Sequence, residues 1–102
     1  MITLCIRYTV DHAKRKEFEA YARSLQAPIR RAGGQPLGYY LPTLLAGATT
    51  MALGLIGFAD LASYERYRAT LAEDAEGRAA LAHAERTGCI LGEERSFLQP
   101  IE

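Results

Sequence analysis

The chain has 102 residues, enough for one domain with a thin core and too few for a second of ordinary size. Its 12 basic and 12 acidic residues cancel, so there is no net positive field to draw nucleic acid, and no Lys/Arg cluster is interleaved with aromatics on one face. No window is apolar for long enough to span a bilayer, and the 2 cysteines have neither metal-ligand spacing nor the numbers for a disulfide framework.

The opening "MITLCIRYTVD" has no basic leader and no continuous apolar run, so a signal peptide is not expected and a reduced, cytoplasmic setting is. Residues Ile2–Val10 alternate, with Ile2, Leu4, Ile6, Tyr8 and Val10 on one side and Thr3, Cys5, Arg7 and Thr9 on the other. Period two and β-branched enrichment predict a strand. Asp11 is placed to cap a helix, whose apolar stripe is Phe18, Tyr21, Ala22, Leu25 and Ile29. Lys14–Lys16 ("KRK") reads as a solvated face of that helix. Pro28 removes a backbone donor and predicts a kink or restart. Gly33-Gly34 predicts the end of the helix.

Pro36–Leu44 ("PLGYYLPTL") reads as a second strand, placed at a sheet edge because of Pro42. After a turn at Ala46–Ala48, a third strand is expected over Thr49–Phe58. It is apolar or small at both parities, with Met51, Leu53 and Leu55 against Ala52, Gly54 and Ile56. Asp60 is expected to cap a second helix carrying Leu61, Tyr64, Tyr67 and Leu71 inward. Asp74 is expected to cap a third, with Leu81 and Ala84 inward and Gly88 as its stop. "CILGEERSFLQP" is the fourth strand.

The order β-α-β-β-α-α-β predicts a single α+β domain over residues 1–102: a ferredoxin-like sandwich with a four-stranded antiparallel sheet in the order fourth, first, third, second. Helices cover one face of such a sheet, yet the third strand is apolar on both. A second covering layer is therefore needed, and a second copy of the chain is expected to supply it face to face. In this topology Cys5 and Cys89 lie too far apart for a disulfide, and both are expected as free thiols.

The segments "MITLCIRYTVD", "GG" followed by "LGYYLP", "DLASYERYR" and "AERTGCILGEERSFLQP" resemble bacterial members of the NIPSNAP family over essentially the whole chain. The most specific parts are Glu94, Arg95, Ser96, Phe97, Leu98 and Pro100, then Gly38, Tyr39, Tyr40, Leu41 and Pro42. The resemblance implies a dimeric α/β barrel. It implies kinship with a superfamily that includes cofactor-independent monooxygenases of polyketide quinol biosynthesis, and small isomerases and lyases. Mitochondrial NIPSNAP members, linked to vesicle transport and to recruitment of autophagy proteins, are longer chains. Gly88 and Gly92 depart from the family by standing where larger residues are common.

The candidate site residues are Arg7, Tyr8, Tyr39, Tyr40, Glu94 and Arg95. In one reading they share a pocket, where a partly dry carboxylate serves as acid or base and the phenols suit an aromatic or quinol-like ligand. In the other, Glu93 or Glu94 pairs Arg7 or Arg95 across the sheet and the tyrosines simply pack. The faces of Glu94 and Arg95 stay open, because a one-residue slip exchanges them. His12 and His83 stand alone, so no metal, haem or other cofactor is expected. "GGQPLG" follows a helix and opens a strand, the reverse of a phosphate loop. Two functions remain: a small-molecule binder or cofactor-independent enzyme in a sheet–helix pocket of a homodimer, or a non-catalytic dimerisation and partner-recruiting module.

Overall fold

The computed structural model describes residues 1–102. Strand β1 (Ile2–Val10) is followed by a 3₁₀ turn (His12–Lys14), helix α1 (Arg15–Arg31), strands β2 (Gln35–Tyr40) and β3 (Met51–Phe58), helices α2 (Leu61–Glu73) and α3 (Ala75–Thr87), and strand β4 (Ile90–Leu98). The sheet runs β2-β3-β1-β4 with every neighbour antiparallel. This is the expected ferredoxin-like α+β sandwich. Its smallest extent, 18 Å, has room for one sheet and one helical layer.

The core lies between those layers. Leu4, Ile6, Tyr8 and Val10 of β1 and Ala52, Ile56 and Phe58 of β3 meet Phe18, Tyr21, Leu25 and Ile29 of α1. Both stripes are the ones the periodicities select. The helix runs through Pro28 without a restart. Asp11 caps the 3₁₀ turn rather than an α-helix, accepting from the Ala13 amide. Asp60 caps α2 through Ser63, and Gly88 ends α3 at φ 67°, a left-handed conformation that costs glycine little.

Several expectations need correction. Strand β2 stops at Tyr40, since Pro42 offers no N–H and disfavours continuation. Leu44 and Leu45 lie exposed in the following loop. Leu61 is solvent-facing, because it opens α2 beyond the sheet's reach; Tyr67 is the buried residue of that helix. In α3 the inward stripe is Ala80 and Ala84, and Leu81 is 45% exposed. The basic run does more than meet water. Lys14 donates to the Thr87 carbonyl at the negative end of α3, and Arg15 donates to the Pro42 carbonyl.

Each edge strand carries an extra residue. Pro36 pairs with Ile56 and Gly38 with Leu55, leaving Leu37 unpaired. Val10 pairs with Ile90 and Thr9 with Gly92, leaving Leu91 unpaired. Each bulge inverts the alternation beyond it. The sheet face away from the helices then holds Met51, Leu53, Leu55, Leu98 and Tyr40 around Arg7 and Glu94. Tyr40 and Leu98 are about half exposed there, at 54% and 49%. Both cysteines are free, Cys5 on this open face and Cys89 fully buried.

Asp74 joins two helices at one point. Its carboxylate caps α3 through the Gly77 amide at 2.9 Å and takes a two-pronged bond from Arg31 at the end of α1, both contacts 2.9 Å. Arg31 also reaches Glu76 at 3.0 Å. The Arg31 guanidinium, helped by the Gly77 amide, lowers the Asp74 carboxyl to about 2. Its folded pKa lies below the ordinary ~3.9. Its contribution to stability is therefore complete above that value and lost as pH falls through about 2. Thermal unfolding should rank wild type above Asp74→Asn, which keeps the cap and loses the charge, and that above Asp74→Ala. Between pH 4 and 2, Asp74→Asn should lose less melting temperature than wild type.

Candidate functional site

The candidate residues divide by face. Tyr8 faces the helices, packed in the core at 2% exposure. Tyr39 pairs with Gly54, and Arg95 with Ile6, so both lie on the Tyr8 side. Arg7 pairs with Glu94 across β1 and β4, and Tyr40 with Leu53 across β2 and β3, all on the open side. The expected single pocket holding Arg7, Tyr8, Glu94 and Arg95 does not form. The reason is the alternation itself: adjacent residues in a strand point to opposite faces. The carboxylate beside Arg95 is Glu93, at 3.6 Å.

Between the helices and the β1/β4 side of the sheet is a cleft of about 450 Å³, within the usual size of a small-molecule site. Five tyrosines line it: Tyr8, Tyr21, Tyr39, Tyr64 and Tyr67. Aliphatic side chains complete the walls, and Arg68, Glu93 and Arg95 are its charged groups. Tyr64 and Tyr67 have a structural part as well. They pack on Phe58 with ring centroids 5.3 and 4.8 Å away, and Tyr64 meets Phe97 edge-on at 4.8 Å. These contacts hold the sparsely buried α2 against the sheet.

Tyr39 reaches the cleft because Gly54 stands opposite it. A Cβ on Gly54 would sit 2.8 Å from the Tyr39 ring, so only glycine lets the ring lie across β3. There the Tyr39 and Tyr8 hydroxyls approach to 3.4 Å. Burial drives the Tyr8 phenol far above its ordinary range, with Tyr39 and Tyr21 adding to the effect. Tyr21 is raised for the same first reason. Tyr39 is pushed up to about 12 by burial, against the opposing hydrogen bond from Tyr8. Burial likewise puts Tyr67 at about 12. At neutral pH these four phenols are protonated, so they offer hydroxyl protons and not phenolate bases. Burial disfavours the Arg95 charge, but Glu93 and Tyr64 outweigh it, and its pKa lies above the ordinary value.

The sequence points to Tyr8, Tyr39 and Arg95. It does not bring Tyr21, Tyr64, Tyr67 or Glu93 to the same place, since each looks like a core or surface residue of its own element. The usable signal was the opposite charge of Arg7 and Glu94: pairing those two fixes the parity of β4 and sends Glu93 and Arg95 to the Tyr8 side. A second depression of about 480 Å³ lies between α1 and the end of β2. Its polar rim is already engaged, Arg23 by Glu19 at 2.7 Å and the Gln26 amide by the Ala22 carbonyl. No group of three or more His, Cys, Asp or Glu side chains is disposed to hold a metal ion, and no helix is long and apolar enough to cross a membrane.

No curated protein matches the chain. Among solved structures it is similar to a NIPSNAP family protein of Agrobacterium tumefaciens, 25% identical, with a TM-score of 0.78 over 99% of this chain and 93% of that one. It is also similar to an uncharacterized NIPSNAP-like domain protein of Burkholderia xenovorans, 22% identical, TM-score 0.81, covering 99% and 85%. A third, an Agrobacterium tumefaciens NIPSNAP family protein of unknown function, is 16% identical with a TM-score of 0.84 over 100% and 89%. The NIPSNAP family profile matches residues 3–102, and the chain belongs to the NIPSNAP family.

Proposed function

We propose that the chain binds a small aromatic or polyketide-like molecule in the tyrosine-lined cleft, and that it does so as a homodimer closed over the open sheet face. The observation that carries the binding reading is the convergence of five phenols and Arg95 on one partly enclosed volume. Aromatic walls suit a flat apolar ligand, and a few polar groups suffice to orient it. The homodimer is supported by Tyr40, Met51 and Leu98, which stand about half exposed on a sheet face that no element of the chain covers. An ordinary interface buries about 800 Å² per partner, and at about 25 cal/mol per Å² that is ample drive before association entropy is subtracted. The same face gives the assembly-module alternative its support, since a dimer would form with or without a ligand.

At micromolar concentration the protein should sediment at twice its 11.2 kDa chain mass. Leu55→Glu, on the open face, should sediment as a single copy with an unchanged circular dichroism spectrum. A wild-type protein that sediments as one copy overturns the dimer.

In thermal denaturation, an uncharged flat aromatic such as 2-naphthol should raise the melting temperature, the stabilisation reaching about 2.7 kcal/mol at a hundred times its Kd. Gly54→Ala, which must displace the Tyr39 ring, should shrink that rise. Gly92→Ala, whose added Cβ would meet nothing within 4 Å, should leave it unchanged. If no aromatic compound moves the melting temperature, the cleft is packing and the assembly module stands.

A further inference from the structure

Resting on the cleft as a ligand site, the geometry points to a monoanionic ligand: a flat apolar body carrying one carboxylate or enolate oxygen that Arg95 receives. The charges of the cleft are two guanidiniums, Arg68 and Arg95, against one carboxylate, Glu93. The phenols add no negative charge, since a phenol with the ordinary pKa of ~10 is neutral near pH 7, and burial moves Tyr8, Tyr21, Tyr39 and Tyr67 further that way. An empty cleft therefore carries one net positive charge beside apolar walls, and one ligand anion balances it.

Arg95 has donors to spare. A guanidinium presents five N–H groups in a planar fork that fits a carboxylate two-pronged. Its contact with Glu93 is 3.6 Å, longer than a hydrogen bond, and its side chain is 48% exposed at the mouth of the cleft. Glu93, 40% exposed, is a loose partner that a ligand oxygen can replace at closer range. Deeper in, Tyr8 and Tyr39 share one long hydroxyl contact of 3.4 Å in which only one of them donates. The other hydroxyl proton is left for a neighbouring phenol or an acceptor on the ligand. The site thus grades from a cation at its mouth to neutral donors on its floor. That order suits an acid whose charge stays near water while its ring system is buried.

The test is isothermal titration of wild type and variants with 2-naphthoate and its neutral isostere 2-naphthamide. Wild type is expected to bind the acid at least about tenfold more tightly than the amide, the scale of one hydrogen bond to a charged group. Arg95→Met should erase that preference, weakening the acid far more than the amide. Arg95→Lys should keep part of the preference, and Glu93→Gln should raise affinity for the acid. Equal binding of acid and amide by wild type, or a preference that survives in folded Arg95→Met, overturns the anion assignment while the cleft remains a ligand site. Failure of both probes to bind wild type overturns the cleft reading and this inference with it.

Discussion

In an antiparallel strand each residue faces opposite to the next, and one unpaired residue inverts everything beyond it. Leu37 in β2 and Leu91 in β4 are such residues, and the chemistry of both sheet faces depends on them. Ile90 packs against the core. Without the bulge at Leu91, strict alternation from Ile90 would send Gly92 and Glu94 to the helices and Arg95 to the open side. With it, Glu93 and Arg95 join Tyr8, and Glu94 falls opposite Arg7. Leu37 does the same for the tyrosine pair, putting Tyr39 over Gly54 and Tyr40 beside Leu53. Both bulges lie in edge strands, where one neighbour alone must accommodate the extra residue.

The two faces divide the work. Toward the helices, the β1 and β3 side chains are nearly dry and supply the domain's core, and the part of that face left uncovered along β4 becomes the cleft. Because β4 is an edge strand under little helical cover, Glu93 and Arg95 remain half in water, so their charges cost little to keep. Tyr8 and Tyr39 sit deeper, and burial there raises their pKa. A basic phenolate is excluded from the floor of the cleft, and a hydroxyl donor is favoured. The open face is apolar around a single pair of opposite charges, Arg7 and Glu94.

Much of the fold was legible because its signals are local. Strand β1 runs over the residues its alternation marks, the α1 stripe buries as spaced, and Asp60, Asp74 and Gly88 bound their helices through side-chain caps or a left-handed residue. The misreadings arose where tertiary placement overrides local pattern. Leu61 and Leu81 have apolar side chains at helical spacing, yet Leu61 is left 58% exposed and Leu81 lines the cleft instead of entering the core. The site was legible residue by residue but not as an arrangement. Tyr8, Tyr39 and Arg95 could be singled out, while their separation from Arg7, Tyr40 and Glu94 depends on two bulges, one at Leu37 between Pro36 and Gly38 and one at Leu91 before Gly92. That proline and those glycines signal an irregularity but do not say which residue goes unpaired. Gly54 was visible as a small residue in an apolar strand, but its purpose appears only when Tyr39 is seen lying across it.

The chain has 6 tyrosines and no tryptophan, and all of the tyrosines except Tyr40 line the cleft. Five of the six tyrosine emitters therefore border the space a ligand would enter. The fold supplies its own optical probe, unlabelled and already in position. A compound that absorbs near 300 nm and settles among those rings would dim those five and leave Tyr40, on the other face, as an internal reference.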